Sequence, residues 1–217
     1  MINTIIVLAA VLLLIVLLYC VKKQATRTTL IAKSTLSVMF MFAALVQSHP
    51  EPTFYYLILA GLIFCLMGDV FLALPQKKMF TMGLAAFLAG HVFYIISFLS
   101  LIGIDQWVSG PPLVVIGVSA AVLVWLWPHL DNMRLPVLFY VVVITVMVAG
   151  AWAVYRYSSC TLNGPLLILA GAVLFYLSDL FVAIDRFVKE RFINRLIGLP
   201  LYYLGQFMLA FSVGLAA

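Results

Sequence analysis

The chain has 217 residues, of which 66% are hydrophobic and only 9% are charged. Soluble domains usually contain about 45–50% apolar and about 25% charged residues, so this chain has too few charged side chains to cover a water-soluble fold. Its net charge of +5 comes from cations in short loops between apolar runs, which excludes a basic nucleic-acid-binding face and predicts an all-α integral membrane protein.

Eight apolar runs follow one another along the chain, each about long enough to cross a hydrocarbon core of roughly 30 Å as a helix. The predicted spans cover residues 3–21, 30–47, 54–74, 80–99, 111–127, 135–155, 164–184 and 196–215. No basic segment precedes the first run, and cations follow it, so we expect a first membrane span inserted with its N-terminal end outward and not a cleaved signal peptide.

Lysine and arginine alternate between the two sides of the predicted bundle. The connections after spans 1, 3, 5 and 7, with the adjoining helix ends, carry eleven of the 12 cations, and the opposite connections carry only Arg156. Because Lys and Arg in short loops favour the cytoplasmic side, we expect both termini on the non-cytoplasmic side. The predicted location is a bacterial inner (cytoplasmic) membrane.

An internal repeat relates the third span to the seventh. Residues 59–74 (LAGLIFCLMGDVFLAL) and 169–184 (LAGAVLFYLSDLFVAI) are identical at six of sixteen positions, and residues 83–95 and 198–210 extend the relation. Both segments start on the same predicted side, which favours two parallel four-helix repeats related by an axis along the membrane normal. We therefore predict one transmembrane domain with halves of about residues 1–105 and 106–217; chance similarity between two apolar helices is the alternative.

Two acidic residues, Asp69 and Asp179, fall inside predicted helices, at matching positions of the repeat. Each lies about five residues, or roughly 7–8 Å, from the predicted cytoplasmic end of its span. A charge at that depth costs about 2–3 kcal/mol or more unless it faces a polar cavity or a partner. Equal depth suggests one shared pocket, in which one carboxyl could stay protonated and the other ionised, giving an acid and a base. Two structural hydrogen bonds are the alternative.

Other polar side chains within the predicted helices could complete such a pocket: His91, Lys33, Tyr94, Ser178, Tyr202, Tyr203 and Gln206. His91, the single histidine inside a span, could instead make an interhelical hydrogen bond without chemistry. Tyrosines in spans are more often packing residues. Lys33 could reach the headgroups with its ammonium or bind a phosphate.

Several chemistries lack support in the sequence. The three cysteines, Cys20, Cys65 and Cys160, form no CxxC pair and are expected to be free thiols. Two of the three histidines lie in loops on opposite predicted sides, which argues against zinc hydrolases. The chain contains no GxSxG, GxxxxGK[ST] or GxGxxG segment, so serine hydrolases and nucleotide enzymes are not indicated.

Four segments combine these polar residues with small and aromatic neighbours: LMGDVFLALP (66–75), GLAAFLAGHVFYI (83–95), FYLSDLFVAIDRF (175–187) and YYLGQFML (202–209). Together they resemble the YhhN-type lysoplasmalogenase family of eight-helix membrane proteins. The resemblance implies hydrolysis of the vinyl-ether bond of a lysophospholipid substrate, the lysoplasmalogen, to a fatty aldehyde and a glycerophospho-ethanolamine or -choline. Carried over by position, it implies Asp69, His91 and Asp179 as catalytic residues, with Lys33, Tyr203 and Gln206 as further site residues.

The residue types also fit that chemistry independently of the resemblance. Cleavage of a vinyl ether needs an acid to protonate the double bond, a base and a water molecule, as two carboxyl groups provide in glycoside hydrolysis; no metal or redox cofactor is required. Tyr94 and Ser178 are further candidates for substrate binding. A proton-coupled small-molecule transporter or lipid-binding membrane protein is the alternative, because a parallel repeat with acids near its axis also describes carriers.

Overall fold

The computed structural model describes residues 1–107, 112–158 and 163–215, and Cys160 and the connection around residue 110 lie outside this part. The helices are Ile2–Lys22 (α1), Thr26–Leu45 (α2), Pro52–Leu72 (α3), Lys77–Leu101 (α4), Ile104–Trp107 (α5), Pro112–Leu126 (α6), Arg134–Tyr157 (α7), Asn163–Ala183 (α8) and Phe192–Ser212 (α9). Short 3-10 turns follow α6, precede α7 and end α9, and a π-helical turn, Ile184–Val188, continues α8. The described residues contain no β-strand, so the predicted all-α class is confirmed.

Seven of these helices, α1 to α4 and α7 to α9, are long and apolar enough to cross a membrane. The chain is therefore a multi-pass integral membrane protein. The fifth predicted span differs, because α6 has 15 residues, about 22 Å at 1.5 Å per residue, and continues only through the 3-10 turn Trp127–His129. Pro128 lies in that turn and has no N–H to extend an α-helix.

The bundle is built around two closely packed helix pairs, α3 with α4 and α8 with α9. Glycines allow each close approach: a Cβ atom on Gly90 would lie 3.1 Å from the carbonyl oxygen of Gly61, and one on Gly205 would lie 2.8 Å from that of Gly171. Contacts of α2 with α9 and of α4 with α7 join the pairs into one bundle. This arrangement brings the inner faces of α3, α4, α8 and α9 together.

Aromatic rings fill the space between the two helix pairs. Phe175 of α8 lies 4.5 Å from the ring of His91 and 5.4 Å from that of Tyr202, measured between centroids. Phe40 of α2 packs edge-on against Tyr202 at 6.4 Å. Edge-to-face contacts at these distances are favourable for aromatic rings, so they fix the rings that flank the polar residues described next.

Candidate active site

A cavity of about 780 Å³ lies at one end of the bundle. Its wall is formed where α3, α6 and α8 end and where α2, α4, α7 and α9 begin. Both intramembrane aspartates, Asp69 and Asp179, line it. The wall also has an apolar section formed by Leu84, Val122, Leu126, Val137, Val141 and Ile144. The cavity therefore combines two intramembrane carboxyl groups with a surface that suits a hydrocarbon chain.

Asp69 of α3 is held by three donors from two other helices. The ammonium of Lys33 lies 3.0 Å from its Oδ1, and the hydroxyls of Ser37 and Tyr202 donate to its Oδ2 at 2.6 and 2.7 Å. Lys33 and Ser37 are one turn apart on α2, so both face the same carboxylate. An ammonium and two hydroxyl donors satisfy an ionised carboxylate in a site where only 1% of the Asp69 side chain is exposed.

The ion pair shows where the charge of Lys33 lies. Its side chain is 11% exposed and its ammonium is paired with Asp69, so the ammonium lies inside the bundle. The hydroxyl of Tyr203 donates to the backbone carbonyl of Lys33 at 3.3 Å and thus fixes the lysine backbone from α9. Lys33 and Tyr203 therefore support Asp69.

Asp179 of α8 has a different environment. Its Oδ2 accepts a hydrogen bond from the hydroxyl of Tyr140 at 2.7 Å, and Nε2 of His91 lies 3.4 Å from the same oxygen. The Asp179 side chain is 16% exposed, so it is the more accessible of the two carboxyl groups. No lysine or arginine among the described residues makes a salt bridge to it.

The orientation of His91 is fixed by its own helix. Its Nδ1 lies 2.5 Å from the carbonyl oxygen of Phe87, and because a carbonyl only accepts, Nδ1 carries a proton. Nε2 makes no hydrogen bond and faces Asp179. The imidazole and the carboxyl group are therefore direct neighbours, 3.4 Å apart.

The structure divides the predicted site residues into two groups. Lys33, Asp69, Ser178 and Asp179 line the cavity, and His91 lies directly behind Asp179, away from the wall. Tyr94, Tyr203 and Gln206 do not line it. The hydroxyl of Tyr94 donates to Gln206 at 2.7 Å, and the amide of Gln206 donates to the sulfur of Cys65 at 3.5 Å. Tyr94, Gln206 and Cys65 form a separate buried cluster between α3, α4 and α9.

Three functional candidates were not predicted as site residues: Ser37, Tyr140 and Arg186. Ser37 had a signal, because it follows Lys33 by one helical turn on the same face. Tyr140 had none, since a single tyrosine near the start of an apolar span is typical of a membrane interface. Arg186 was counted only as a topology cation, but it lines the cavity.

Sequence comparisons relate the chain to known membrane proteins. The sequence profile of the YhhN family matches residues 28–213. A lysoplasmalogenase of Mycobacterium bovis is 31% identical over 77% of this chain, but that alignment covers only 62% of the mycobacterial protein. The membrane protein YhhN of Escherichia coli O6:H1 is 31% identical over 73% of this chain and 74% of its own.

The human lysoplasmalogenase TMEM86A is 29% identical over 76% of this chain and 67% of its own length. No solved structure matches the chain. This chain therefore spans less than two thirds of the mycobacterial relative and about two thirds of the human one.

Proposed function

Because the chain belongs to the YhhN family, we propose that it is a hydrolase that cleaves the vinyl-ether bond of lysoplasmalogens. The products are a fatty aldehyde and a glycerophospho-ethanolamine or -choline. Two of the relatives are named lysoplasmalogenases. The observation that carries the proposal is that one cavity is lined by two intramembrane carboxyl groups in different environments, Asp69 paired with an ammonium and Asp179 accessible beside an imidazole.

Asp179 is the general acid in this proposal. It is the carboxyl group that the cavity reaches more easily, and Nε2 of His91 lies 3.4 Å from its Oδ2, so we assign the transferred proton to this pair. The hydroxyl of Tyr140 holds the carboxyl group in place from α7. His91 acts through Asp179 and does not touch the substrate, so it is a positioning and proton-storing residue. A positioned acid of this kind contributes about 10²–10⁴-fold to a rate.

Asp69 is the fixed negative charge. Its hydrogen bonds from Ser37 and Tyr202 and its ion pair with Lys33 hold the carboxylate without rearrangement. A preorganised charge in a water-poor site stabilises a developing cation more than the same charge in water. Protonation of a vinyl ether produces such a cation, so Asp69 supports the step that Asp179 starts.

The reaction balances with one water molecule and no net change in the protein. Asp179 donates its proton to the alkenyl carbon that is not bonded to oxygen, and the double bond becomes a carbon–oxygen double bond with a positive charge. Water adds to the other alkenyl carbon, the one bonded to the ether oxygen, and gives a proton to Asp179. Asp179 then donates this proton to the glycerol oxygen as the carbon–oxygen bond of the hemiacetal breaks, and the hemiacetal hydroxyl returns its proton to Asp179 as the aldehyde forms.

The apolar section of the cavity is the proposed site of the alkenyl chain. Val122 and Leu126 of α6 pack together with Val137 and Val141 of α7, and all four line the cavity. The short α6 packs mainly on α7, so the lipid chain can leave the cavity sideways between helices into the bilayer. The polar glycerol and headgroup then point to the end of the bundle where the cations lie.

The finer architecture is part of the same proposal: eight spans in two parallel repeats, with the cavity facing the cytoplasm of a bacterial cell. The glycine crossings support the repeat, since Gly61 with Gly90 and Gly171 with Gly205 occupy matching positions. The hydrogen-bond and ion-pair partners of the two aspartates support the repeat as well. Asp69 is bound by the helix before its own and by the last helix, and Asp179 is bound by the helix before its own and by α4, the last helix of the first half.

Comparing an alkenyl lipid with its alkyl analogue tests the function. Purified protein in detergent should release aldehyde from a lysoplasmalogen but none from the alkyl-ether lysophospholipid of the same chain length, because only the alkenyl carbon can be protonated. Aldehyde is measured by coupled reduction. Equal turnover of both lipids would exclude protonation of the double bond, and pH-gradient-driven solute flux in proteoliposomes without any aldehyde would favour a transporter instead.

A further inference from the structure

The mouth of the cavity carries cations that the reaction above does not use. Four cationic side chains line the cavity: Lys33, Arg186, Lys189 and Arg195. Lys33 is paired with Asp69, and Arg195 is paired with both Asp185 and Glu190. Within the described part of the chain, no carboxylate lies within salt-bridge distance of Arg186 or Lys189. The mouth therefore has three cations for two carboxylates, and neither Arg186 nor Lys189 has an ion-pair partner among the described residues.

Arg186 is held in a way that keeps its hydrogen-bond donors available. The central carbon of its guanidinium lies 4.3 Å from the ring centroid of Phe80, and Phe80 lines the same cavity and packs edge-on against Phe187 at 5.8 Å. A guanidinium against a ring face is stabilised by cation–π attraction, and its N–H groups point outward from its edge. That edge matches two oxygens of a phosphate.

The segment that carries both cations is held by its own hydrogen bonds. The N–H of Lys189 donates to the carbonyl of Ile184 at 2.9 Å, which closes the π-helical turn. Asp185 accepts hydrogen bonds from the backbone N–H of Arg191 and from the side chains of Asn194 and Arg195. π-helical turns are rare in proteins, but many of those that occur lie at functional sites. The backbone that carries Arg186 and Lys189 is thus held by its own hydrogen bonds.

We propose that Arg186, assisted by Lys189, binds the phosphate of the lysophospholipid headgroup and thereby sets the position of the vinyl ether at Asp179. The inference rests on the proposed function for the identity of the lipid. Arg186 follows Asp179 by seven residues, about 10 Å along the helix. In the substrate, the three glycerol carbons and one ester oxygen separate the phosphorus from the ether oxygen. This distance, together with the length of the arginine side chain, fits the separation between Arg186 and Asp179.

Binding of ligands that the protein does not hydrolyse tests this site separately from turnover. An alkyl-ether lysophospholipid carries the phosphate, and the matching alkylglycerol lacks it; both are titrated into protein in phospholipid-free detergent. Arg186→Gln should weaken binding of the phosphate-bearing lipid by about tenfold or more, since a charge-assisted pair of hydrogen bonds is lost. Binding of the alkylglycerol should not change. The affinity of Arg186→Lys protein for the phosphate-bearing lipid should lie between those of wild type and Arg186→Gln, because lysine keeps the charge but cannot form the bidentate pair of hydrogen bonds.

Arg156→Gln is the matched control. Arg156 also lies over an aromatic ring, that of Tyr157, but it does not line the cavity, so the variant should bind both lipids normally. In turnover of lysoplasmalogen, Arg186→Gln should raise KM with little change in kcat. Unchanged affinity for the phosphate-bearing lipid would overturn the assignment, as would an equal loss for both lipids. If no aldehyde is ever released but the binding difference is found, the proposed reaction fails and the phosphate site stands.

Discussion

Replacing Asp179 with asparagine is expected to lower the rate of aldehyde release from lysoplasmalogen by on the order of 10²–10⁴-fold. Asparagine has nearly the same shape and can still accept the hydrogen bond from the Tyr140 hydroxyl, but it cannot donate or recover a proton during the reaction. The folded state should be retained, because Asp179 has no lysine or arginine partner in the described structure to leave unpaired. Initial rates of purified protein give the measurement.

Asp105→Asn is the control for this variant, since Asp105 is an exposed carboxyl group on α5 that does not line the cavity. It should keep wild-type activity. A double variant of Asp69 and Asp179 should be little worse than the Asp179 variant alone, because residues that act as a unit are not additive. Substantial turnover by Asp179→Asn protein would contradict the assignment of the acid.

Replacing Asp69 with asparagine is expected to reduce stability as well as activity. The substitution leaves the Lys33 ammonium buried without its counter-ion, and breaking a buried ion pair at one partner costs roughly 3–5 kcal/mol of the free energy of unfolding. Thermal unfolding in detergent should therefore occur at a clearly lower temperature than for wild type. The Asp179 variant should unfold near the wild-type temperature.

The double variant Lys33→Met with Asp69→Asn separates the two effects. It removes both charges of the pair, so much of the lost stability should return, because neither charge is left buried alone. Activity should stay low, since the fixed negative charge is absent. If the double variant regained activity together with stability, Asp69 would have only a structural role. If Asp69→Asn alone unfolded like wild type, the ion pair would not be an important stabilising contact.

The helices and the two aspartates could be predicted because both signals are local. A run of about 20 apolar residues specifies a span by itself, and a carboxyl group inside such a run is costly enough to indicate a site. The fifth span was predicted from the same signal. The structure gives it only 15 α-helical residues, so the count of eight stays a prediction.

The sequence did not predict which partner contacts which aspartate, because helix rotation is not encoded in a uniformly apolar span. Lipid and protein interior are both apolar, so hydropathy does not say which face of α2 meets α3 or which face of α7 meets α8. Gln206 lies opposite His91 when residues 83–95 are aligned with 198–210, but it bonds Tyr94 and Cys65. Tyr202, one turn earlier on α9, is the residue that reaches Asp69.

Hydrolysis of lysoplasmalogen in D₂O by wild-type and Asp179→Asn protein tests the central claim most directly. The aldehyde is trapped by reduction, and the deuterium at the carbon next to the carbonyl is measured by mass spectrometry. If a solvent-exchanged carboxyl group transfers the proton, the wild-type product carries one deuterium at that carbon. The Asp179→Asn protein should form this labelled product more slowly, by on the order of 10²–10⁴-fold. Unlabelled aldehyde, or labelled aldehyde formed equally fast by both proteins, would contradict protonation of the vinyl ether by Asp179.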